Sequence, residues 1–518
     1  MPVRPNILLI TSDQQRADCF GFENAHIKTP HLDRLAREGT RFSACITPNL
    51  VCQPSRASIL TGQLPLTHGV WDNGVDLDPA VGERGFAGTL ARAGYATALI
   101  GKAHFSTKAT FNPTGTPECG RSGAQYSADW RGPYMGFGHV ELATLGHFDN
   151  PMPLERPPVG HYERWLLARE AGEEALRLHA ASAGPDTGGA AQTWHSALPP
   201  AWHSSTWIGD RAINWLNARD KSKPFCLWAS FPDPHQPFDC PAPWSLMYDP
   251  RDVVLPQHRA RDLDNRPWWY RASLEGTPQL ADPAMRNLRV KVSRLPDQSD
   301  EQLAHMTANY YGMISLIDHN VARIRAALDE PGLRENTLVI FTTDHGDMLG
   351  NHGLYLKGPW PLEDLLRVGM IAAGRASRRE VWRTSRYRRS ISRRLSSTMP
   401  ACPRSLSRRA AACARYCKVV LKSAKPLTAN GTCIRRVAGS VCNCARCAHK
   451  RINAPSNSAP TRANFTISST TRMKCITSLM IRAIATCAKN LTRWCVRDQA
   501  AYAMICPNRS AWLKRVTR

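Results

Sequence analysis

Cysteine, proline and arginine fall close together in Val51-Cys52-Gln53-Pro54-Ser55-Arg56-Ala57-Ser58-Ile59-Leu60-Thr61-Gly62. Pro54 lacks the N–H that a first helical turn leaves unpaired anyway, Ala57 to Leu60 continue a helix, and Gly62 can close it. The spacing predicts Cys52 at a helix N-terminus, where unpaired N–H groups lower a thiol pKa and accept a tetrahedral anion. Arg56, one turn along, adds full positive charge. Four other short groups carry side chains suited to holding a cation or moving a proton: Asp13-Gln14, Lys102-Ala103-His104, Asp233-Pro234-His235 and Asp344-His345. Taken singly, each has an ordinary explanation. Cys52 would be a half-buried thiol beside a capped helix, Asp344 a helix cap, His235 a satisfied loop histidine and Lys102 a solvated cation.

The elements that precede these groups argue for a common purpose. Asn6-Ile7-Leu8-Leu9-Ile10-Thr11, Tyr95-Ala96-Thr97-Ala98-Leu99-Ile100, Phe225-Cys226-Leu227-Trp228-Ala229-Ser230 and Thr337-Leu338-Val339-Ile340-Phe341-Thr342 are short apolar runs, the pattern of strands buried on both faces. Each runs directly into one of the four groups. In an open parallel sheet, ligands gather outside the carboxyl ends of the strands, and the Cys52 turn is expected to face that edge. Helices are predicted over Thr29 to Leu35, Trp207 to Leu216 and Ala304 to Leu328, with a strand at Arg41-Phe42-Ser43 leading toward Cys52. Strand–helix alternation argues an α/β fold with a mainly parallel central sheet flanked by helices. The stretch from Thr110 to Ser205 has little periodicity and is expected to give loops and short helices forming one wall of a pocket.

Cys52-x-Pro54-Ser55-Arg56 followed by Leu60-Thr61-Gly62 resembles the signature of the sulfatases, a branch of the alkaline-phosphatase-like superfamily. The resemblance covers about residues 5–373 and is strongest at Asp13 to Arg16, Cys52 to Gly62, Gly101 to His104, Asp233 to His235 and Asp344 to Lys357. It implies an alkaline-phosphatase-like core and hydrolysis of sulfate monoesters of small molecules. It further implies that a formylglycine-generating enzyme converts Cys52 to formylglycine, a hydrated aldehyde that serves as nucleophile. By the same resemblance Asp13, Gln14, Asp344 and His345, with the residue made from Cys52, bind one divalent cation. Many sulfatases carry Asp at the position of Gln14 and Asn at that of His345. These replacements keep oxygen and nitrogen donors, so calcium is expected, with manganese and magnesium as alternatives. Arg56 and Lys102 would neutralise sulfate oxygens, and His235 and Lys357 match positions that touch the sulfate and the leaving group. His104 matches the position that helps expel sulfate, and Asn73 is a candidate sulfate contact. Phosphonate monoester or phosphodiester hydrolysis is the nearest rival; Lys102 favours sulfate, because relatives acting on less charged diesters tend to be neutral there.

Composition divides the chain in two. Of 518 residues with net charge +25, those from Arg375 onward hold 32 Lys+Arg against two acids and 11 of the 17 cysteines. The longer first part holds 35 basic and 40 acidic residues, and its six scattered cysteines lack the spacing of a disulfide framework. With no signal-like segment and no run long enough to cross a membrane, a cytoplasmic location without membrane attachment is expected. The predicted organisation is a catalytic domain over residues 1–373 and a basic, Cys- and Arg-rich tail over 374–518 without a recognisable fold. A basic nucleic-acid-binding tail is the alternative from another functional class, with nucleic acid an unlikely partner; Cys442-x-Cys444-x-x-Cys447-x-His449 resembles a zinc knuckle but fits no common spacing. A lost reading frame explains the tail better. Shifted by one base, Ser385 to Ala401 and Phe465 to Arg482 can both encode segments resembling sulfatase C-terminal sequence. A frame lost near Gly374 would leave the chain poorly soluble and weakly active or inactive as written.

Overall fold

The computed structural model describes residues 4–374 except 109, 145–157, 170, 171, 282, 292 and 331, together with the backbone of Tyr387–Arg388. The expectations for the basic tail otherwise lie outside the described residues. Ten strands are described: β1 (Asn6–Ser12), β2 (Thr40–Arg41), β3 (Cys45–Ile46), β4 (Ala96–Gly101), β5 (His139–Leu142), β6 (Phe225–Ser230), β7 (Thr337–Thr343), β8 (Arg367–Val368), β9 (Met370–Ala373) and β10 (Tyr387–Arg388). Seven form one sheet in the order β2-β9-β7-β1-β6-β4-β5. Five adjacent strands, β7-β1-β6-β4-β5, are parallel, while β9 and β2 pair antiparallel at the edge opposite β5. A smaller sheet, β10-β3-β8, lies apart.

The apolar runs are strands because both of their faces are covered. Leu8 and Ile10 of β1, with Ala98, Leu227 and Phe341 of its companions, pack into one cluster with Leu32, Ile208 and Ile317. The alternate residues Ile7, Leu9, Leu99, Trp228 and Ile340 pack into another with Ala57, Ile59 and Leu60. The covering helices are α1 (Pro30–Glu38), α2 (Cys52–Thr61), α3 (Ser204–Ala218) and, after the shorter α4 (Trp268–Glu275) and α5 (Pro283–Lys291), the long α6 (Asp300–Ala326). Pro30 begins α1, and a Ser299–Gln302 capping box begins α6, four residues before the apolar pattern alone predicts.

The strand ends are laced together. Asp13 N donates to Asp233 O at 2.9 Å, Lys102 N to Ser230 O at 2.8 Å and Phe231 N to Thr11 O at 2.8 Å. Gly101 closes β4 at φ 105°, where a Cβ would stand 2.0 Å from Ser230 O, so only glycine lets β4 deliver Lys102 this close to β6. Two expectations need correction. The predicted strand at 41–43 is broken into β2 and β3 between which the chain leaves the main sheet, because Phe42 already pairs with Met370 O and Thr47 with Leu366 O. The stretch from Thr110 to Ser205 gives the expected loops and short helices, among them His161–Leu167 and Gly172–Ala180, but also an unexpected edge strand, β5, too short to show a period in the sequence.

Candidate active site

Cys52 is itself the first residue of α2, with Val51 as extended cap and Pro54 third in the helix rather than first. The correction leaves the thiol where the sequence puts it, since the first three N–H groups of a helix have no internal partner. Gly62 closes the helix in the left-handed region, its N–H donating to Ser58 O. Cys52, Asp13, Arg56, Asp344 and His345 are all 0% exposed.

Around the sulfur, Asp13 Oδ1 lies at 3.4 Å and His345 Nε2 at 3.1 Å. One ligand atom from each of Asp13, Cys52, Asp344 and His345 lies within 4.8 Å of the others. His345 Nδ1 sits 2.8 Å from Gly346 O, to which it can donate, leaving the Nε2 lone pair for the cluster. Two carboxylates, an imidazole nitrogen and a sulfur, buried together and convergent, fit a divalent cation. The charges point the same way. Burial would lower the His345 pKa, yet Asp344 and Cys52 hold it above its usual value, so the cluster favours positive charge.

Arg56 differs from the expectation of a free sulfate-binding cation. Its Nε donates to Asp344 Oδ2 at 2.9 Å, Nη1 to Lys102 O and Ser230 Oγ at 2.9 and 2.8 Å, and Nη2 lies 3.4 Å from Asp13 Oδ2. The guanidinium ties β1, β4, β6 and β7 together from beneath the cluster. Lys102, 6% exposed, places Nζ 2.5 Å from Asp13 Oδ2. Burial alone would raise the Asp13 pKa, but Lys102 first and Arg56 next hold it well below the carboxylate range. On Cys52, burial and Asp13 push the thiol pKa up; Lys357, His345 and Lys102 outweigh them and leave it lowered.

Gln14 adopts φ 64° and donates from Nε2 to Gln236 Oε1 at 2.8 Å and Asp347 Oδ2 at 2.5 Å, while Oε1 accepts from Lys357 Nζ. Its amide oxygen therefore needs its second lone pair to reach a cation. His104, at φ 55°, has Nδ1 buried without a hydrogen-bond partner; burial and then Lys102 keep it neutral. His235 donates from Nδ1 to Gln236 O at 2.6 Å, and burial, Lys357 and Lys102 keep it neutral as well. Asn73 Oδ1 accepts from Gln53 N at 3.0 Å, so its carbonyl caps α2 and only its Nδ2 is left for a substrate.

Sequence reasoning missed the residues that brace this set. Glu118 accepts from the N–H groups of His104, Phe105 and Ser106 and from Tyr134 Oη at 2.7 Å, fixing the turn after β4. Asp347 and Gln236 orient Gln14, and Ser230 links Arg56 to Lys102 O. Asp347, in Asp344-His345-Gly346-Asp347, was within view of the motif; Glu118 gave no signal because only the fold brings it to His104. A cavity of about 650 Å³ adjoins Lys357, lined by Arg261, Trp269, Arg289, Arg294 and Trp360. Its walls come from residues between 261 and 297 and between 355 and 360, with Asp72.

A family model described as Sulfatase matches residues 5–397. This chain belongs to the sulfatase family. It is 31% identical over 372 residues to an arylsulfatase of Clostridium perfringens, covering 71% of this chain and 68% of that protein. It is also 31% identical over 372 residues to a multifunctional alkaline phosphatase superfamily protein of Trinickia caryophylli, covering 68% of this chain and 65% of that one. The crystal structure of a phosphonate monoester hydrolase of Agrobacterium radiobacter superposes with a TM-score of 0.56 at 25% identity, over 76% of this chain and 74% of that chain. The fold is accordingly alkaline-phosphatase-like, and this sulfatase is a hydrolase of the sulfuric ester class.

Proposed function

We propose that the described domain hydrolyses sulfate monoesters of small molecules at Cys52, with one divalent cation held by Asp13, Asp344, His345 and Gln14. The observation that carries this reading is the placement of Cys52 Sγ, at a helix N-terminus and 3.4 and 3.1 Å from Asp13 and His345, at the carboxyl edge of four adjacent parallel strands. Formylglycine made from Cys52 by a formylglycine-generating enzyme would supply an aldehyde hydrate as nucleophile, and the cation would supply positive charge to polarise the ester oxygens. Calcium suits the two carboxylates and the amide oxygen; manganese, which accepts the imidazole more readily, is its competitor.

The chain's own groups complete the chemistry. Lys102 and Lys357 both bring positive charge close enough to lower the Cys52 thiol pKa, and would meet the sulfate oxygens that gain charge as the ester bond breaks. Arg56 positions Asp13 and Asp344 rather than touching substrate. Lys357 is the proton donor to the departing alcohol, and His235 Nε2, neutral in the free enzyme, gains proton affinity when an anion arrives beside it. His104 would accept a proton as sulfate departs, a role supported by its unpartnered Nδ1 and by the burial that keeps it neutral. A cytoplasmic location is part of the proposal, supported by the six described cysteines, which are all free thiols.

The fold relation to a phosphonate monoester hydrolase makes that activity the competing reading. Lys102 beside Asp13 supports sulfate, because the three terminal oxygens of a sulfate monoester offer its ammonium one more acceptor than the two of a phosphodiester or phosphonate monoester. Turnover of 4-nitrophenyl sulfate against 4-nitrophenyl phenylphosphonate decides between them: kcat/KM at least tenfold higher for the sulfate is expected, and the reverse order overturns the assignment.

A further inference from the structure

A second group of metal-ligating side chains lies apart from the cluster at Cys52. His258 and Asp262 are four residues apart in one loop, and His352 belongs to the short turn Asn351–Gly353. Asp262 Oδ1 stands 3.4 Å from His352 Nδ1, and Oδ2 stands 3.9 Å from His258 Nε2. Ligand atoms from all three lie within 4.8 Å of one another, and the two imidazoles meet edge to face with centroids 4.8 Å apart. The separation at His352 is long for a good hydrogen bond. It matches the edge of a coordination polyhedron, since two ligands each about 2.1 Å from a tetrahedral zinc are roughly 3.4 Å apart.

The backbone holds this arrangement in place without a metal. His352 N donates to His258 O at 2.7 Å and Arg261 Nε to Gly353 O at 3.2 Å. A Cβ on Gly353, itself at φ 63°, would stand 2.9 Å from Arg259 O, so the two segments run in backbone contact. His352 is held at φ 57° and ψ 24°, a left-handed conformation that strains a non-glycine residue. In that conformation its Nδ1 is shielded from solvent and has no hydrogen-bond partner. A buried, unsatisfied imidazole nitrogen is itself a cost, which a bound cation would remove. Arg266 Nη2, 2.6 Å from Asp262 Oδ2, steadies the carboxylate from behind, as outer partners of ligating carboxylates do.

We propose that His258, Asp262 and His352 form a binding site for zinc or a chemically similar transition-metal ion. Two imidazoles and one carboxylate suit zinc, whereas calcium calls for six or more oxygen ligands. The half-exposed His258 leaves a path for entry and a position for water. The ion would clasp the turn that leads into Lys357 to the loop carrying Arg261, and both residues line the cavity beside the active site. The clasp is structural, and its loss is expected to loosen that wall.

Calorimetric titration of the calcium-saturated full chain with zinc chloride tests the site. The unmodified chain should bind one zinc equivalent more than His258→Gln or His352→Gln, a difference that cancels any zinc held by the tail cysteines. Zinc should also raise the unfolding temperature of the unmodified chain by several degrees while leaving both variants unmoved. His258→Gln changes a side chain that is 52% exposed and so keeps the fold, which its own unfolding transition verifies. Equal zinc stoichiometry in all three proteins, or an equal zinc-induced shift in unfolding temperature, overturns the proposal.

Discussion

At the scale of single residues, the site is a balance of buried charges. Asp13 and Asp344 are carried into a fully enclosed position where an isolated carboxylate would be untenable, and Arg56 and Lys102 make it tolerable. The two cations divide the work. Arg56 has its N–H groups directed at protein acceptors in the rigid fork that only arginine offers, whereas Lys102 meets Asp13 with a single ammonium that can turn toward an arriving anion. Lys102→Met should therefore lower kcat for aryl sulfate by about 10²–10³, the loss typical of removing one preorganised charge, and should also lower the unfolding temperature, because it removes the nearer of the two cations that face buried Asp13. Steady-state kinetics beside a thermal melt checks both parts. An unchanged kcat would show that Lys102 serves Asp13 alone.

At the scale of elements, the four strand ends were legible because each apolar run is buried on both faces and stops at a polar group. That pattern survives without any knowledge of strand order. The arrangement β7-β1-β6-β4, which makes the four ends neighbours, was not legible, because pairing depends on contacts between residues hundreds of positions apart. Local signals also failed where the decisive partner is remote. Pro54 suggested a helix beginning two residues late, since the extended Val51 cap has no side-chain signature. The turn after β4 gave no hint of Glu118. Burial pushes the Glu118 pKa up to about 7, although Tyr134 and three backbone N–H groups partly oppose it. A carboxyl whose folded pKa exceeds its unfolded value contributes stability fully below about pH 4.5 and loses it as pH rises through 7. The shift corresponds to roughly 3 kcal/mol across that window. The unfolding temperature of the unmodified chain relative to Glu118→Gln should accordingly fall between pH 4.5 and 7.5. Melting curves that run parallel over this range would remove Glu118 as a titrating brace of the His104 turn.

At the scale of the whole molecule, residues 1–374 carry an acidic excess, whereas residues 375–518 hold 32 basic and two acidic residues and eleven cysteines. Like charges at that density repel one another, and thiols that an oxidant reaches cross-link. The full chain is expected to elute as large, reductant-sensitive assemblies in gel filtration; a monodisperse monomer without reductant would contradict this. Conversion of Cys52 is independent of that outcome, because the resemblance implies that modification reads Cys52, Pro54 and Arg56 in the unfolded chain. The most direct test is mass spectrometry of the peptide containing Cys52 from full chain produced with a formylglycine-generating enzyme. The expected peptide has lost sulfur and gained an aldehyde that reacts with hydrazide. An intact thiol at Cys52, in cells where another sulfatase is fully converted, would contradict it.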